Sequence, residues 1–402
     1  MELIATCAFG LERLLREEIK QLGFWIEKTE DGRITFRGEK EDLAIANIWI
    51  RTAERIHIKI AEFPAKTFDE LFDKTYELNW QEILPAECAF PVLCSTNRSK
   101  LHNEPAIQKI VKKSIVKKIQ TINSSQLDLI EKSPLYAITA RLKNDICTLS
   151  LDSTGASLHK RGYRAQSGLA PIKETLAASL VKLSNWDTTQ PLIDPFCGSG
   201  TILIEGAMIA QKIAPGSMRK FTFEDWPEYK TMDLNEIRTK IPAQNLSNKD
   251  NFNEQKHINN TKRQIFGYDI DPNAISIARK NAKLAGVEKY INFEICDFQL
   301  LDFTKMNNAT IITNPPYGKR LYNETQTNSV YNNQHEEIYK QLGNKFQQTT
   351  NCSLNLLTSD ESFEQYFGQK ATKNRKLFNG QIQCRLYQYI RNKTEGVSDE
   401  NY

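Results

Sequence analysis

The run Asn314-Pro315-Pro316-Tyr317-Gly318 sets an amide, a carbonyl with no N–H beside it and an aromatic ring in immediate succession. Two prolines cannot continue a central strand or open a helix comfortably, so the chain must turn here. The residues before the turn, Ala309-Thr310-Ile311-Ile312-Thr313, carry no charge and much β-branched character. They read as a buried strand, because a strand covered on both faces is apolar along its length. In an open α/β sheet, ligands bind outside the carboxyl ends of the strands. Amide, carbonyl and ring therefore fall where chemistry is expected. A plain strand-ending turn would use the same residues, so the choice rests on the remainder of the chain.

Three further strands end in the same manner. Pro191-Leu192-Ile193-Asp194 leads into Pro195-Phe196-Cys197-Gly198-Ser199-Gly200-Thr201, which reads as strand, glycine loop and helix start. Gly198 and Gly200 let backbone approach a ligand closely, and the helix start offers unpaired N–H groups. A triphosphate would call for a lysine after the loop, and a dinucleotide for Gly or Ala where Leu203 stands. S-adenosylmethionine carries a carboxylate and an ammonium but no phosphate, and suits a short loop with Asp194 at the strand end. Gln264 to Asp269 is a second strand, followed by Ile270 and a helix from Pro272. A carboxylate at its end, Asp269, is placed for ribose hydroxyls, whereas Asp271 is expected to be mainly the helix cap. Ile291 to Phe298 is a third strand, ending in Asp297 for an adenine amino group and Phe298 to stack on the ring. Each of these residues could be a cap or turn by itself. Four strands ending in Asp194, Asp269, Asp297 and Asn314 form one polar rim.

The 402 residues suffice for two or three domains, and 40% hydrophobic with 25% charged residues is ordinary globular composition. No apolar run approaches the ~20 residues that span a bilayer, and the N-terminus does not read as a signal peptide. The eight cysteines are scattered without a CxxC pair and the five histidines do not cluster. Free thiols in a reducing cytoplasm and no metal are the expectation. A net charge of +4 permits nucleic-acid binding without demanding it, so the placement of charge matters more.

Residues 1 to 60 alternate strand, helix, two strands, helix and strand, a ferredoxin-like order. Residues 65 to 155 read as another α+β unit. In it, the polar turn Ser95 to Lys100 precedes a helix from Ile107 to Ile119. Ile107, Ile110, Val111, Ile115, Val116 and Ile119 fall on one face of that helix, and Lys109, Lys112, Lys113, Lys117 and Lys118 lie outside it with no acid to offset them. Such a face fits either phosphate or water. Gly155 to Leu169 is basic and glycine-punctuated and is taken as the joint, followed by a helix over Ala170 to Leu183. Residues 217 to 263 form a polar insertion expected as a loop, with Phe221 to Pro227 anchored by aromatics. Lys370, Lys373, Arg375 and Lys376 precede a hairpin at Asn379-Gly380, whose closing strands are expected to be antiparallel.

The runs Asp194 to Thr201, Gly267 to Asp271, Asp297-Phe298 and Asn314 to Gly318 resemble class I S-adenosylmethionine-dependent methyltransferases. With its first half, the chain is more narrowly similar to the bacterial THUMP-domain RNA guanine-N2 methyltransferases that modify 23S ribosomal RNA. The resemblance implies an α/β fold: a Rossmann-like methyltransferase domain with a mostly parallel seven-stranded sheet, preceded by ferredoxin-like and THUMP modules. It implies a ferredoxin-like module at 1–60, THUMP at 43–154, a linker at 155–169, the methyltransferase at 170–392 and a flexible tail at 393–402. S-adenosylmethionine is the implied cofactor, held by Asp194, Phe196, Gly198, Gly200, Thr201, Asp269, Ile270, Asp297 and Phe298. Asn314, Pro315, Pro316 and Tyr317 are the implied catalytic group. Arg98, Lys100, Lys109, Lys112, Lys113, Lys117, Arg161, Arg164, Lys319 and Arg320 are expected to face RNA, ribosomal first and transfer RNA second. Guanine N2, adenine N6 and cytosine N4 all suit two acceptors and a stacking ring, so the base rests on the resemblance. A DNA amino-methyltransferase and a non-catalytic RNA-binding protein are the alternatives.

Overall fold

The computed structural model describes residues 1–123, 133–164, 172–239, 264–316 and 328–390. The chain divides into two compact units. The first comprises Met1–Cys7, Leu15–Leu158 and a later return from Arg219; the second comprises Ala8–Leu14, His159–Met218 and the remainder.

In the first unit the order is β1 (Glu2–Thr6), α1 (Glu12–Gln21), β2 (Trp25–Glu30), β3 (Arg33–Arg37), α2 (Lys40–Trp49), β4 (Arg55–Pro64), α3 (Phe68–Tyr76), α4 (Trp80–Ile83), β5 (Val92–Asn97), α5 (Glu104–Asn123), β6 (Ile138–Lys143) and β7 (Ile146–Asp152). All seven strands belong to one sheet, β2-β3-β1-β4-β7-β6-β5, antiparallel except for the β5–β6 pair. The ferredoxin-like and THUMP-like halves thus meet in one sheet at β4, which pairs with β1 on one edge and β7 on the other. The β6–β7 turn holds Asn144 and Asp145 at φ 52° and 63°, the left-handed pair that a tight hairpin needs and that Asn and Asp tolerate. On α5, Ile107, Val111 and Ile115 are fully buried, which leaves the lysines outward.

The stretch 217–263 differs from its reading as a loop of the second domain. Its described part holds short 3-10 turns at Thr222–Asp225 and Pro227–Tyr229 and a later helix (Leu234–Thr239), and Arg219 onward belongs with the first unit. Trp226 is buried, stacks on Tyr136 at 4.7 Å and donates its indole N–H to Leu135 O at 2.8 Å. Burying an aromatic body while satisfying its polar handle is what draws this polar stretch back onto the fold.

The second unit runs α6 (Glu174–Leu183), β8 (Leu192–Asp194) and α7 (Thr201–Ala210); α8 is the Leu234–Thr239 helix of the first unit. There follow β9 (Ile265–Asp269), α9 (Pro272–Leu284), β10 (Ile291–Ile295), β11 (Thr310–Thr313), α10 (Asn328–Gln347), β12 (Ser353–Thr358), α11 (Phe363–Phe367), β13 (Lys373–Asn379) and β14 (Ile382–Tyr389). The sheet order is β10-β9-β8-β11-β12-β14-β13. The first five strands are parallel, and the closing hairpin β13–β14 runs antiparallel to β12. Every residue of β8 and β11 is buried, with Leu192-Ile193 and Ile311-Ile312 as their apolar part and Asp194 and Thr313 at their carboxyl ends. Strand order reverses between β8 and β11, which opens a crevice at their carboxyl ends. Lys373, Arg375 and Lys376 are part of edge strand β13 and do not precede it.

Among the described residues no helix is long and apolar enough to cross a membrane, and no cluster of His, Cys, Asp and Glu could hold a metal.

Candidate active site

A cavity of about 620 Å³ lies at the carboxyl ends of β8, β9, β10 and β11. Its walls include Asp194, Phe196, Gly198, Thr201, Asp269, Ile270, Asp297, Phe298, Asn314 and Pro316, so the four strand ends read from the sequence share one site. The volume suits a cofactor-sized ligand.

Asp194 is 2% exposed. Its Oδ1 accepts from Thr313 Oγ1 at 2.7 Å and from the Phe196 N–H at 3.0 Å, both neutral donors. Burial pushes its carboxyl up to about 7, the Asp269 charge adds to the rise, and the two hydrogen bonds oppose it. A buried carboxylate held only by neutral donors favours a cation, which a ligand ammonium would supply. Asp269 is half-buried and clamps the loop: Oδ2 accepts from Gly198 N at 2.9 Å and Oδ1 from Asp271 N at 2.9 Å. Burial raises its pKa while these N–H groups lower it. Asp271 accepts from Asn273 N and caps α9, with Pro272 in the first turn.

The two loop glycines differ. Gly198 has φ +52°, and a Cβ there would meet nothing within 4 Å, so it opens onto the cavity. At Gly200, φ is +80° and a Cβ would come within 2.9 Å of the Phe293 ring and 3.1 Å of Ala278 Cβ. At Gly200 the absence of a side chain therefore serves helix–sheet packing, whereas at Gly198 it leaves the cavity side open. Asn281 of α9, 1% exposed, donates from Nδ2 to Ser199 O at 3.2 Å and fixes the loop from below.

The third strand is shorter than the sequence reading made it. Strand β10 stops at Ile295, and Asp297 caps a 3-10 turn by accepting from Gln299 N at 2.9 Å. The Phe298 ring is 6% exposed, packs on Phe196 at 4.7 Å and belongs to the core cluster under the cavity. It lines the cavity and supports its wall from the core side. Ile270, 67% exposed, offers the open apolar surface. Asn314 is half-buried on the cavity wall, Pro315 is buried and Pro316 lines the opening. Tyr317, Lys319 and Arg320 lie outside the described residues.

The residues expected to face RNA separate into two groups. Lys109, Lys113 and Lys117 are exposed at successive i,i+4 positions of α5, and Arg98 and Lys100 are exposed in the loop after β5. The half-buried Lys112 lies over the Phe90 ring at 5.5 Å, and Lys117 over Phe72 at 5.6 Å. Arg161 is not a surface group: it is 1% exposed, its Nε lies 3.5 Å from Glu205 Oε1, and Tyr163 OH donates to the same oxygen at 3.1 Å. Arg164 is partly buried, 3.3 Å from Glu174 Oε1, and donates from Nη2 to Thr201 Oγ1 at 2.8 Å and Ile172 O at 3.0 Å. Both arginines are thus held inside the second unit. Glu205, a lone acid in the apolar helix Ile202 to Ala210, was the signal that could have revealed this. Thr313, Ser199 and Asn281 were missed because nothing in their spacing marks them.

The fold and site have counterparts. A model of an RMKL-like methyltransferase domain matches residues 161–388, a RlmL ferredoxin-like domain matches 2–57 and a THUMP domain matches 65–152. The chain is 42% identical over 390 residues to YpsC of Bacillus subtilis, a protein named provisionally as an RNA methyltransferase, covering 96% of this chain and 95% of that one. It is 31% identical to ribosomal RNA large subunit methyltransferase K/L of Vibrio parahaemolyticus over 96% of this chain, but spans only 53% of that protein. Among solved structures, SMU.472, titled provisionally as a methyltransferase complexed with SAH, is 39% identical with TM-score 0.84 over 98% of this chain and 99% of its own. A Listeria monocytogenes structure titled a predicted N6-adenine-specific DNA methylase is 38% identical with TM-score 0.84, over 96% and 95%.

Proposed function

The chain belongs to the RMKL-like methyltransferase family, and we propose that it transfers a methyl group from S-adenosylmethionine to the exocyclic N2 amine of a guanosine in RNA, with large-subunit ribosomal RNA as substrate. The observation that carries this reading is the pairing of β8 with β11, which brings Asn314 to the wall of the cavity that holds Asp194. RNA is supported by the THUMP match and by the relatives' names, and the large subunit by the K/L relatives' names; guanine N2 rests on the resemblance carried by the sequence motifs.

The residues fit the cofactor. Asp194 awaits a cation, Gly198 leaves open the space a side chain would fill, and Asp269 with Ile270 offers a carboxylate beside an apolar surface at the second strand's end. Asp194 would take the ammonium, Asp269 the ribose hydroxyls, and Asp297 the adenine amine with Ile270 against the ring. When bound, S-adenosylmethionine supplies an electrophilic methyl group.

What remains for the protein is alignment. An exocyclic purine amine is a weak nucleophile because its lone pair is delocalised into the ring. The Asn314 side-chain oxygen and the Pro315 carbonyl are the two acceptors we assign to its N–H groups, holding the nitrogen and favouring its pyramidal form. No strong base is required, since the proton can leave after transfer. The base must be unpaired or leave its stack to reach this site. Tyr317 is assigned the stacking role, and Lys109, Lys113 and Lys117 the phosphate contacts.

The test is nucleoside mass spectrometry of fractionated RNA from a strain lacking the gene, then restored with wild type or Asn314→Ala. N2-methylguanosine should fall in large-subunit rRNA and return only with wild type. Loss of N6-methyladenine would overturn the choice of base, and loss confined to tRNA the choice of RNA. Restoration by Asn314→Ala would overturn the role of Asn314.

A further inference from the structure

The segment before α6 reaches the cofactor loop through one side chain. Arg164 Nη2 donates to Thr201 Oγ1 at 2.8 Å, and Thr201 Oγ1 lies 3.2 Å from Ser199 Oγ. Both hydroxyl residues line the cavity. Thr201 is the first residue of α7, where backbone N–H groups lack helical partners. Arg164 is held in turn by Glu174 at 3.3 Å and by Ile172 O, and its side chain is 15% exposed.

A guanidinium only donates, and a hydroxyl has one proton to give. The single hydrogen bond between the two hydroxyls uses one proton and leaves the other, and Arg164, by donating to Thr201 Oγ1, fixes the position of that oxygen. If Thr201 donates to Ser199, the Ser199 proton is left over; if Ser199 donates, the Thr201 proton is left over. Either order leaves one O–H of this cavity-lining pair unspent within the pair, while the Glu174 ion pair holds Arg164 in place behind it. Such a donor, next to the helix start, suits an anion.

We propose that Arg164 is a positioning residue for the cofactor: through Thr201 and Ser199 it presents a hydroxyl donor to the carboxylate at the amino-acid end of S-adenosylmethionine. This rests on the cofactor reading above and assigns a further part of the same site. Arg161, buried against Glu205, is the support on which this segment is held. The sequence reading of Arg164 as an RNA contact is replaced by a role directed into the protein.

The experiment is calorimetric titration of the full chain with S-adenosylhomocysteine and with 5′-methylthioadenosine, which keeps the adenosine and thioether but lacks the amino-acid end. Arg164→Met should weaken S-adenosylhomocysteine roughly tenfold or more, as for a lost charge-assisted hydrogen bond, and leave methylthioadenosine within about twofold. Thr201→Val should give the same split, Thr201→Ser and Arg164→Lys should recover much of the affinity, and the Arg164→Met, Thr201→Val pair should lose little more than either change alone. Methylthioadenosine affinity preserved by a variant also reports that its site is folded. Equal loss for both ligands in Arg164→Met and Thr201→Val, or unchanged S-adenosylhomocysteine affinity, would overturn the proposal alone. A wild-type chain that binds neither ligand would overturn the cofactor reading and this proposal with it.

Discussion

Two basic stretches look alike in sequence. Lys109 to Lys118 carries five lysines, Lys160 to Arg164 carries a lysine and two arginines, and neither contains an acid. In the fold they have opposite fates. The α5 lysines ride on a helix whose Ile107, Val111 and Ile115 are buried, so helical geometry turns them outward. Arg161 and Arg164 lie in a non-repetitive segment with no periodic face, and their partners are Glu205 and Glu174, distant in sequence. Charge composition alone does not distinguish a nucleic-acid surface from a buried ion pair; a local periodicity that assigns the core face does.

The largest separation between the two regions should appear in stability. Arg161→Met leaves the Glu205 carboxylate buried with Tyr163 but without its cation, a loss of about 3–5 kcal/mol. Lys113→Met on the exposed face should stay within about 0.5 kcal/mol. Urea unfolding monitored by circular dichroism reads both, and comparable values would erase the distinction.

The converse should hold for RNA. Replacing Lys109, Lys113 and Lys117 together by Gln should flatten the slope of log K against log salt by about two to three, while leaving unfolding unchanged. Filter binding across a salt series measures it. An unaltered slope would mean that α5 faces water, and that its lysines are as irrelevant to RNA as the buried arginines.

A smaller effect extends the contrast to a buried acid. In the apo fold Asp194 keeps its proton up to about pH 7, whereas in the unfolded chain it ionises at the ordinary aspartate value. The folded state therefore holds the extra proton between those two values, so this group lowers stability as pH rises through that window. Asp194→Asn should remove that slope. Binding follows the opposite sign: S-adenosylhomocysteine affinity should fall about tenfold from pH 8 to pH 6 as the carboxylate is neutralised, and should be weak and flat in Asp194→Asn. Calorimetry at several pH values tests both halves.

The elements that place the site follow from local chemistry. An uncharged, β-branched run marked β11, Leu192-Ile193-Asp194 before the glycine loop marked β8, Asn379-Gly380 marked the closing hairpin, and Asp271-Pro272 marked the start of α9. The boundaries were less legible. Ser95-Thr96-Asn97 reads as a turn but extends β5, because its polar residues alternate on a half-exposed face and pair with β6. The return of Trp226 onto Tyr136 was only half visible: the aromatics announced an anchor, but not what they would be anchored to.

By itself the sequence determined which residue types end each strand of the methyltransferase sheet, since turn and cap preferences act within a few residues. It also determined that α5 shows a cationic face, since the helical repeat is local. Only the tertiary structure decided which glycine opens onto the cavity, because a Cβ at Gly200 would strike Phe293 of β10, whereas one at Gly198 would meet nothing within 4 Å. It alone decided that Phe298 supports the wall and Ile270 faces the opening, and that Arg164 points to Thr201. These outcomes depend on burial and hydrogen-bond partners brought together across long sequence separations, where neither spacing nor composition carries information.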